Sequence, residues 1–320
     1  MDKKYFKRLS RSLPSIGMGT WRLGSHGDKP IKVLRSGFSQ GLTMVDTAEA
    51  YAFGYSETLV GEAIKGVPRD DLFIVSKVMP TRRRTEILDS AQSSVKRLGT
   101  YIDLYLLHNP DIAEGTLAER MQGLEDVVEK GYARSIGVSN FRVDQIEEAQ
   151  SCLSRLEIAA VQNRLNLYDR HWLDDVVPYC QREDLMFMAY SPLDTGRLAN
   201  DRGALLALSE KLGKTRLQVG LNWLNYLDNV VSIPKLGKLS HLEECLGALG
   251  WNLSGEDWKR LLNDYADYDG YENFNMCVAR ENLRYYFTPH FFTKYARYYR
   301  DPRHFAAYVQ GTRWKRRHHL

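Results

Sequence analysis

Eight short apolar runs recur along the chain, at residues 16–21, 42–45, 72–78, 101–107, 133–138, 158–162, 185–190 and 230–233, with helically spaced stretches between them. Leu59, Val60, Ala63 and Ile64 recur at three and four residues, as do Leu117, Met121, Leu124 and Val128, so each set makes one apolar helical face. Alternation of strand and helix points to a parallel sheet. Runs such as DLFIVSKV and IDLYLLH are apolar almost throughout, which suits strands covered on both faces rather than an antiparallel sheet with one wet face. Eight strand–helix repeats are the number that closes a barrel. The competing architecture, an open doubly wound sheet, lacks its phosphate loop: GMGTWR at 17–22 has the first two glycines of GxGxxG and an arginine at the third. The expected fold is α/β: a (β/α)8 TIM barrel in one domain over residues 1–262, then an extended aromatic and basic C-terminal tail over 263–320.

At 320 residues and 43% hydrophobic, the chain can bury a core of that size. No run of about 18 apolar residues occurs, and the cations of MDKKYFKRLSRSLPS have no apolar stretch behind them. Neither a membrane span nor a secretory signal is expected, and the location read from this is cytoplasmic. Cys152, Cys180, Cys245 and Cys277 lie far apart with no CxxC pair and read as reduced thiols. The histidines contain no HExxH or similar pair, so no metal is expected. The net charge of +4 is uneven, because ten basic residues against Glu281 and Asp301 give +8 from Arg280 onward and leave −4 before it.

In a parallel barrel all strands end on one face, where reactive groups gather. Asp46 follows the second run, Lys77 closes the third, His108 closes the fourth, and Tyr51 stands in the loop after Asp46. Neighbouring strands lie about 4.8 Å apart, which brings the three strand-end residues within roughly 5 to 10 Å of one another. A tyrosine is a poor proton donor near neutrality, with an ordinary pKa of about 10. A lysine ammonium beside the phenol favours the phenolate, and a carboxylate paired with the lysine keeps that ammonium charged and in place. A histidine at the same point orients a carbonyl oxygen or assists the proton transfer. Taken singly, Asp46 also reads as a helix cap, Lys77 as a solvent-exposed strand end and His108 as a turn residue. Their coincidence at three successive strand ends favours chemistry.

The segments VDTAEAYAFGYSETLVGEAI, FIVSKV, IDLYLLHNP, SIGVSNF, VQNRLNLY, AYSPL and SIPKLGKLSHLEE occur in this order. Together they resemble the aldo-keto reductase superfamily, particularly its bacterial and archaeal small-carbonyl reductases, over about residues 13–262. The resemblance implies an NADPH-dependent barrel oxidoreductase that reduces aldehydes or ketones by hydride transfer. It implies Tyr51 as general acid, Lys77 as the residue that acidifies it, Asp46 as the partner of Lys77, His108 as the residue that orients the carbonyl, and Trp21 as a pocket aromatic. It also implies that Ser139, Asn140 and Gln162 contact the nicotinamide carboxamide and that Tyr190 stacks on the ring. Ser191 and Leu193 fall where the family's loop meets the pyrophosphate, Lys235 near the 2′-phosphate and Glu244 near the adenine. Departures from the pattern are His241 where arginine is common, Leu236 and Cys245. Lys238 offers a second cation for the phosphate, and the departures leave NADH use open. Asn109 stands where many relatives carry tryptophan after the histidine, which implies a wider or more polar pocket.

The tail mixes Tyr, Phe and Trp with Arg and Lys, a footprint shared by single-stranded nucleic-acid binders and by packed interfaces. Helical spacing of Tyr295, Tyr298 and Tyr299 favours packing, either on the barrel as a lid or in a homo-oligomer, over nucleic acid. Three functions compete. The first is carbonyl reduction of a small substrate. The second is a cofactor-binding regulatory or partner subunit with little turnover, and the third is a barrel enzyme that uses Lys77 as a Schiff-base amine. Schiff-base chemistry needs a neutral lysine, which a paired Asp46 opposes.

Overall fold

The computed structural model describes residues 2–23, 29–110 and 115–266. Expectations for the chain beyond residue 266 lie outside the described residues.

Each of the eight apolar runs supplies one strand. In chain order these are β3 (Met18–Gly19), β4 (Met44–Asp46), β5 (Phe73–Val78), β6 (Ile102–Leu107), β7 (Ala133–Ser139), β8 (Ile158–Arg164), β9 (Met186–Tyr190) and β10 (Val230–Ile233). Neighbours in the sheet are neighbours in the sequence, and every pairing is parallel. The first and last strands then meet. Parallel bridges join Ile16 to Ser232 and Gly19 to Lys235, and Gly17 N–H and Gly19 N–H each donate over 2.8 Å, to the carbonyls of Ser232 and Pro234. A Cβ on Gly19 would stand 2.9 Å from the Ile233 carbonyl oxygen, so the seam needs a glycine there. The sheet is thus the expected (β/α)8 barrel.

Helices α1 (Lys29–Ser39), α2 (Tyr55–Ala63), α3 (Arg84–Leu98), α4 (Leu117–Glu129), α5 (Val143–Ser151) and α6 (Val176–Arg182) cover successive strands. The apolar faces read from spacing are the ones that pack: Leu59, Val60 and Ala63 of α2 and Met121 and Leu124 of α4 are buried. Each such side chain contributes about 1.5 to 3 kcal/mol on leaving water. Thr116 starts α4 by accepting from Glu119 N–H while Glu119 accepts from Thr116 N–H, which satisfies two otherwise orphan donors. Between β9 and β10 the chain makes two helices, α7 (Ala204–Leu212) and α8 (Arg216–Asn225), before α9 (Leu239–Gly247) and α10 (Gly255–Asp264). Gly213, at φ 62, ends the first, and the Thr215–Gln218 capping pair starts the second.

The N-terminal basic segment has a task that composition did not announce. It forms an antiparallel hairpin, β1 (Lys3–Phe6) with β2 (Arg11–Pro14), whose Phe6 and Leu13 join the cluster inside the barrel with Phe73, Met186 and Val231. Its cations meet carbonyls at the starting ends of the strands. Lys4 Nζ donates to Asn225, Leu227 and Val230 oxygens at 2.9, 2.6 and 2.7 Å, Arg8 to Ile158 at 2.9 Å and Arg11 to Leu72 at 2.9 Å. That end of the barrel is plugged. Among the described residues no helix is long and apolar enough to cross a membrane.

Candidate active site

Strand side chains alternate between the inside of the barrel and the helix layer, and this period of two decides what reaches the open end. Met44, Phe73 and Val75, Leu104 and Leu106, Ala160, Met186 and Met188, and Val231 and Ile233 form the inner cluster. Stepping two residues from the last inner side chain of β4, β5, β6, β8 and β9 reaches Asp46, Lys77, His108, Gln162 and Tyr190. The apolar interior therefore ends in a polar layer.

Lys77 is the centre of that layer. Its side chain is 0% exposed, and Nζ donates to both oxygens of Asp46 at 2.7 and 2.8 Å, to the Thr47 carbonyl at 2.8 Å and to the Tyr51 hydroxyl oxygen at 3.3 Å. Burial pulls the Lys77 pKa below the ordinary lysine value, and the Asp46 carboxylate opposes that pull. Three acceptor groups for three N–H bonds favour the ammonium. Gln162 Nε2 donates to Asp46 Oδ1 at 2.8 Å from the opposite wall, so the carboxylate is held from two sides.

Tyr51 opens a turn whose next three residues, Ala52, Phe53 and Gly54, all lie in the left-handed region at φ 48, 56 and 83. Two of these are not glycine, which requires surrounding structure to hold them. Arg97 lies against the turn, where a Cβ on Gly54 would meet its Nε at 2.4 Å, and the same Nε donates to buried Glu57 at 2.6 Å. The phenol is thereby set beside Lys77, 4.8 Å from Nζ to ring centroid, and edge-on to His108 at 5.8 Å between centroids.

His108 is half-buried, yet burial, and after it the Lys77 charge, pull its pKa down to about 3. The ring is a neutral imidazole near neutrality. Among the described residues its buried Nδ1 has no hydrogen-bond partner. Asn109 follows it, half-buried, at the strand end. Trp21 is half-buried in the turn after β3, with the Arg22 guanidinium 4.1 Å from its ring centroid.

A second set is hydrogen-bonded to the backbone of His108. Asn140, left-handed at φ 66, donates from Nδ2 to the His108 carbonyl at 3.0 Å and to Ser139 Oγ at 3.1 Å, and accepts from the Tyr190 hydroxyl at 2.8 Å. Ser139 Oγ in turn donates to the Gln162 carbonyl at 2.8 Å. Ser139, Asn140, Gln162 and Tyr190 are thus brought together. Ser191 and Leu193 stand in the loop after β9.

A third set gathers at the seam between β10 and β3 and on α9. Lys235 pairs with Gly19, while Lys238 and His241 are exposed at the start of the helix. Burial, then the charges of Lys238 and Lys235, lower the His241 pKa. Glu244 accepts from the Thr215 hydroxyl that also caps α8.

Residue-type reasoning missed two parts of the site, the Thr47 carbonyl and the left-handed turn after Tyr51, and also a buried ion network of Arg164, Asp169 and Asp194 that lies outside the site, beneath the loop after β9. The first two carry no side-chain signal. Arg164 lies two residues beyond Gln162 on the same strand, and the period of two could have found it.

A plugged parallel barrel with a titratable layer at its open end places the chain among barrel enzymes. A model of the Aldo/keto reductase family matches residues 15–263. The methylglyoxal reductase YeaE of Escherichia coli is 33% identical over 265 residues, covering 79% of this chain and 92% of that protein. The glyoxal reductase of Bacillus subtilis is 32% identical over 253 residues, covering 78% and 88%. An aldo-keto reductase from Klebsiella pneumoniae, solved in complex with NADPH, superposes with a TM-score of 0.75 at 33% identity, over 83% of this chain and 96% of that one. The chain belongs to the aldo/keto reductase family.

Proposed function

We propose that this protein reduces small aldehydes or ketones to alcohols, with NADPH as hydride donor and Tyr51 as general acid. The observation that carries the reading is the single lysine nitrogen that contacts both the Asp46 carboxylate and the Tyr51 hydroxyl oxygen. An ammonium donating to a phenolic oxygen favours the phenolate, so the phenol gives up its proton more readily. A neutral His108 beside it offers a hydrogen bond to the carbonyl oxygen without competing for that proton. A Schiff-base role for Lys77 is disfavoured, because the nitrogen is buried and engaged by three groups.

The residues present fit a nicotinamide cofactor. Ser139, Asn140 and Gln162 supply the mixed donors and acceptors that a carboxamide requires, and the Tyr190 ring is fixed by its hydroxyl. Lys235 at the strand seam and Lys238 at the start of α9 provide cations, and His241 with the first N–H groups of the helix provides hydrogen-bonding groups, a set suited to a 2′-phosphate. When bound, the reduced nicotinamide supplies the hydride. Tyr51 then protonates the developing alkoxide, Lys77 stabilises the phenolate left behind, and Asp46 with Gln162 keeps Lys77 in position.

YeaE and the Bacillus enzyme are named for methylglyoxal and glyoxal, which makes small vicinal dicarbonyls the first substrates to assay. A panel of dicarbonyls, aldehydes, ketones and sugars, followed by NADPH and NADH absorbance, tests class and cofactor together. Tyr51→Phe is expected to lower turnover by about 10² or more while NADPH binding persists. Equal turnover in the two proteins would refute the role of the phenol.

A further inference from the structure

We propose that Arg164 is a positioning residue: it latches the loop after β9 in a preset shape, and so sets how tightly NADPH is held without taking part in hydride transfer. The proposal rests on the cofactor reading above, in which Ser191 and Leu193 of this loop meet the diphosphate.

The loop is strained. Ser191, Asp194 and Thr195 have φ of 51, 46 and 55, three non-glycine residues in the left-handed region, followed by Gly196 at φ 93. Such residues persist only where the surroundings over-determine them. Two anchors do so here, both from the segment that follows Gln162. Asn166 Nδ2 donates to the Ser191 carbonyl at 3.0 Å, and Asp194 N–H donates to the same oxygen at 3.0 Å. Arg164, at the end of β8, donates from Nη2 to Asp194 Oδ1.

The second anchor is buried and charged. The side chains of Arg164 and Asp194 are 4% and 1% exposed. Arg164 Nη1 lies 3.0 Å from Asp169 Oδ2, and Arg197, 41% exposed, approaches Asp194 Oδ2 at 2.9 Å. Two cations thus answer two carboxylates. Burial raises the Asp169 pKa, and its nearness to Asp194 raises it further, against the Arg164 charge that lowers it. Without Arg164, two buried carboxylates would face each other, Asp194 still met by the outer Arg197 and Asp169 by the His171 N–H at 3.5 Å, and the loop is the part free to move away. Asp169 is itself fixed, since its N–H donates to Asn166 Oδ1 at 2.9 Å and its carbonyl accepts from Asn166 N–H at 3.0 Å.

The variants are Arg164→Met, Asp194→Asn and the charge-retaining Arg164→Lys, each checked for its thermal transition. Hydrogen exchange of amides 191–197 without cofactor is expected to accelerate in the first two and to recover part of the way in the lysine variant. NADPH dissociation, followed by protein fluorescence, should weaken by about tenfold in Kd, equivalent to losing the preset geometry of one left-handed residue. The single-turnover reduction rate at saturating NADPH should stay at the wild-type value. Where Arg164→Met does not fold, Asp194→Asn carries the test, since it leaves Arg164 paired with Asp169. Unchanged loop exchange, unchanged Kd, or a single-turnover rate that falls in step with Kd would overturn the latch. A wild-type protein that shows no NADPH response overturns the cofactor reading instead, and the cofactor-free exchange measurement still decides the latch.

Discussion

The two ends of the barrel each hold a largely buried lysine, and they hold it differently. At the plugged end, Lys4 donates to three backbone carbonyls, with Asp228 and Asp2 acting on it only as surrounding charges, and burial draws its pKa down to about 8. At the open end, Lys77 is completely buried, and a carboxylate in direct contact works against the same downward pull. Carbonyl dipoles can fix where an ammonium sits. A carboxylate also fixes its charge, because loss of the proton would strand a buried anion. The difference in use follows: the fourth contact of Lys77 is a titratable hydroxyl at a half-buried position, whereas Lys4 has spent its protons on the backbone.

The largest expected effect breaks the comparison at the open end. Lys77→Met should lower turnover by about 10² or more, because the phenol loses the cation that favours its ionised form. Lys4→Met should leave kcat unchanged. Steady-state kinetics on a dicarbonyl substrate checks both, and comparable losses in the two variants would show that a cation anywhere in the barrel serves the same purpose.

That contrast was only half legible in the sequence. Asp46, Lys77 and His108 could be placed at strand ends because DLFIVSKV and IDLYLLH are apolar runs that stop on a polar residue, and inward alternation then brings them together. The hairpin was not legible. KKYF and RSLP are too short and too charged to read as strands, and the partners of Lys4, Arg8 and Arg11 are carbonyls, which every residue type carries. Asp169 and Asp194 likewise gave no local sign that Arg164 would join them, since they belong to the loops after two different strands. Ala52 and Phe53 adopt left-handed backbone without the glycine that announces it. The α7–α8 break was readable in Gly213 and in the spacing of Thr215 and Gln218, although the alternation of strand and helix alone predicts one helix there.

A smaller effect sharpens the view of the open end through His108. Its folded pKa of about 3 lies below the ordinary 6.5, so between these values the unfolded chain binds a proton that the folded one does not. Stability from this group is fully present above pH 6.5 and is lost as the pH falls from there towards 3. His108→Gln should therefore lose less of its thermal stability than wild type on acidification through that window. Parallel acid titrations of the thermal midpoint would expose an error, because equal slopes mean that the imidazole protonates normally in the fold. The same assignment implies that the pH profile of carbonyl reduction shows no break near 6.5 from this residue.

The smallest effect belongs to the plugged end and has its own sign. Lys4 is depressed from 10.5 to about 8, so between these values the unfolded chain again holds the extra proton. Below pH 8 the ammonium is charged in both states and the cost of its burial is present in full. As the pH rises from 8 to 10.5 that cost fades, so wild type should gain thermal stability relative to Lys4→Met. Deprotonation also removes one N–H from a nitrogen that serves three carbonyls, and this loss works against the gain. The measured slope of the difference between the two proteins therefore weighs desolvation against hydrogen bonding at one nitrogen. A flat difference across the window would mean that the carbonyls offset the cost of burying the ammonium in full, as a carboxylate is expected to do, and the distinction between dipoles and a carboxylate would then lose its basis.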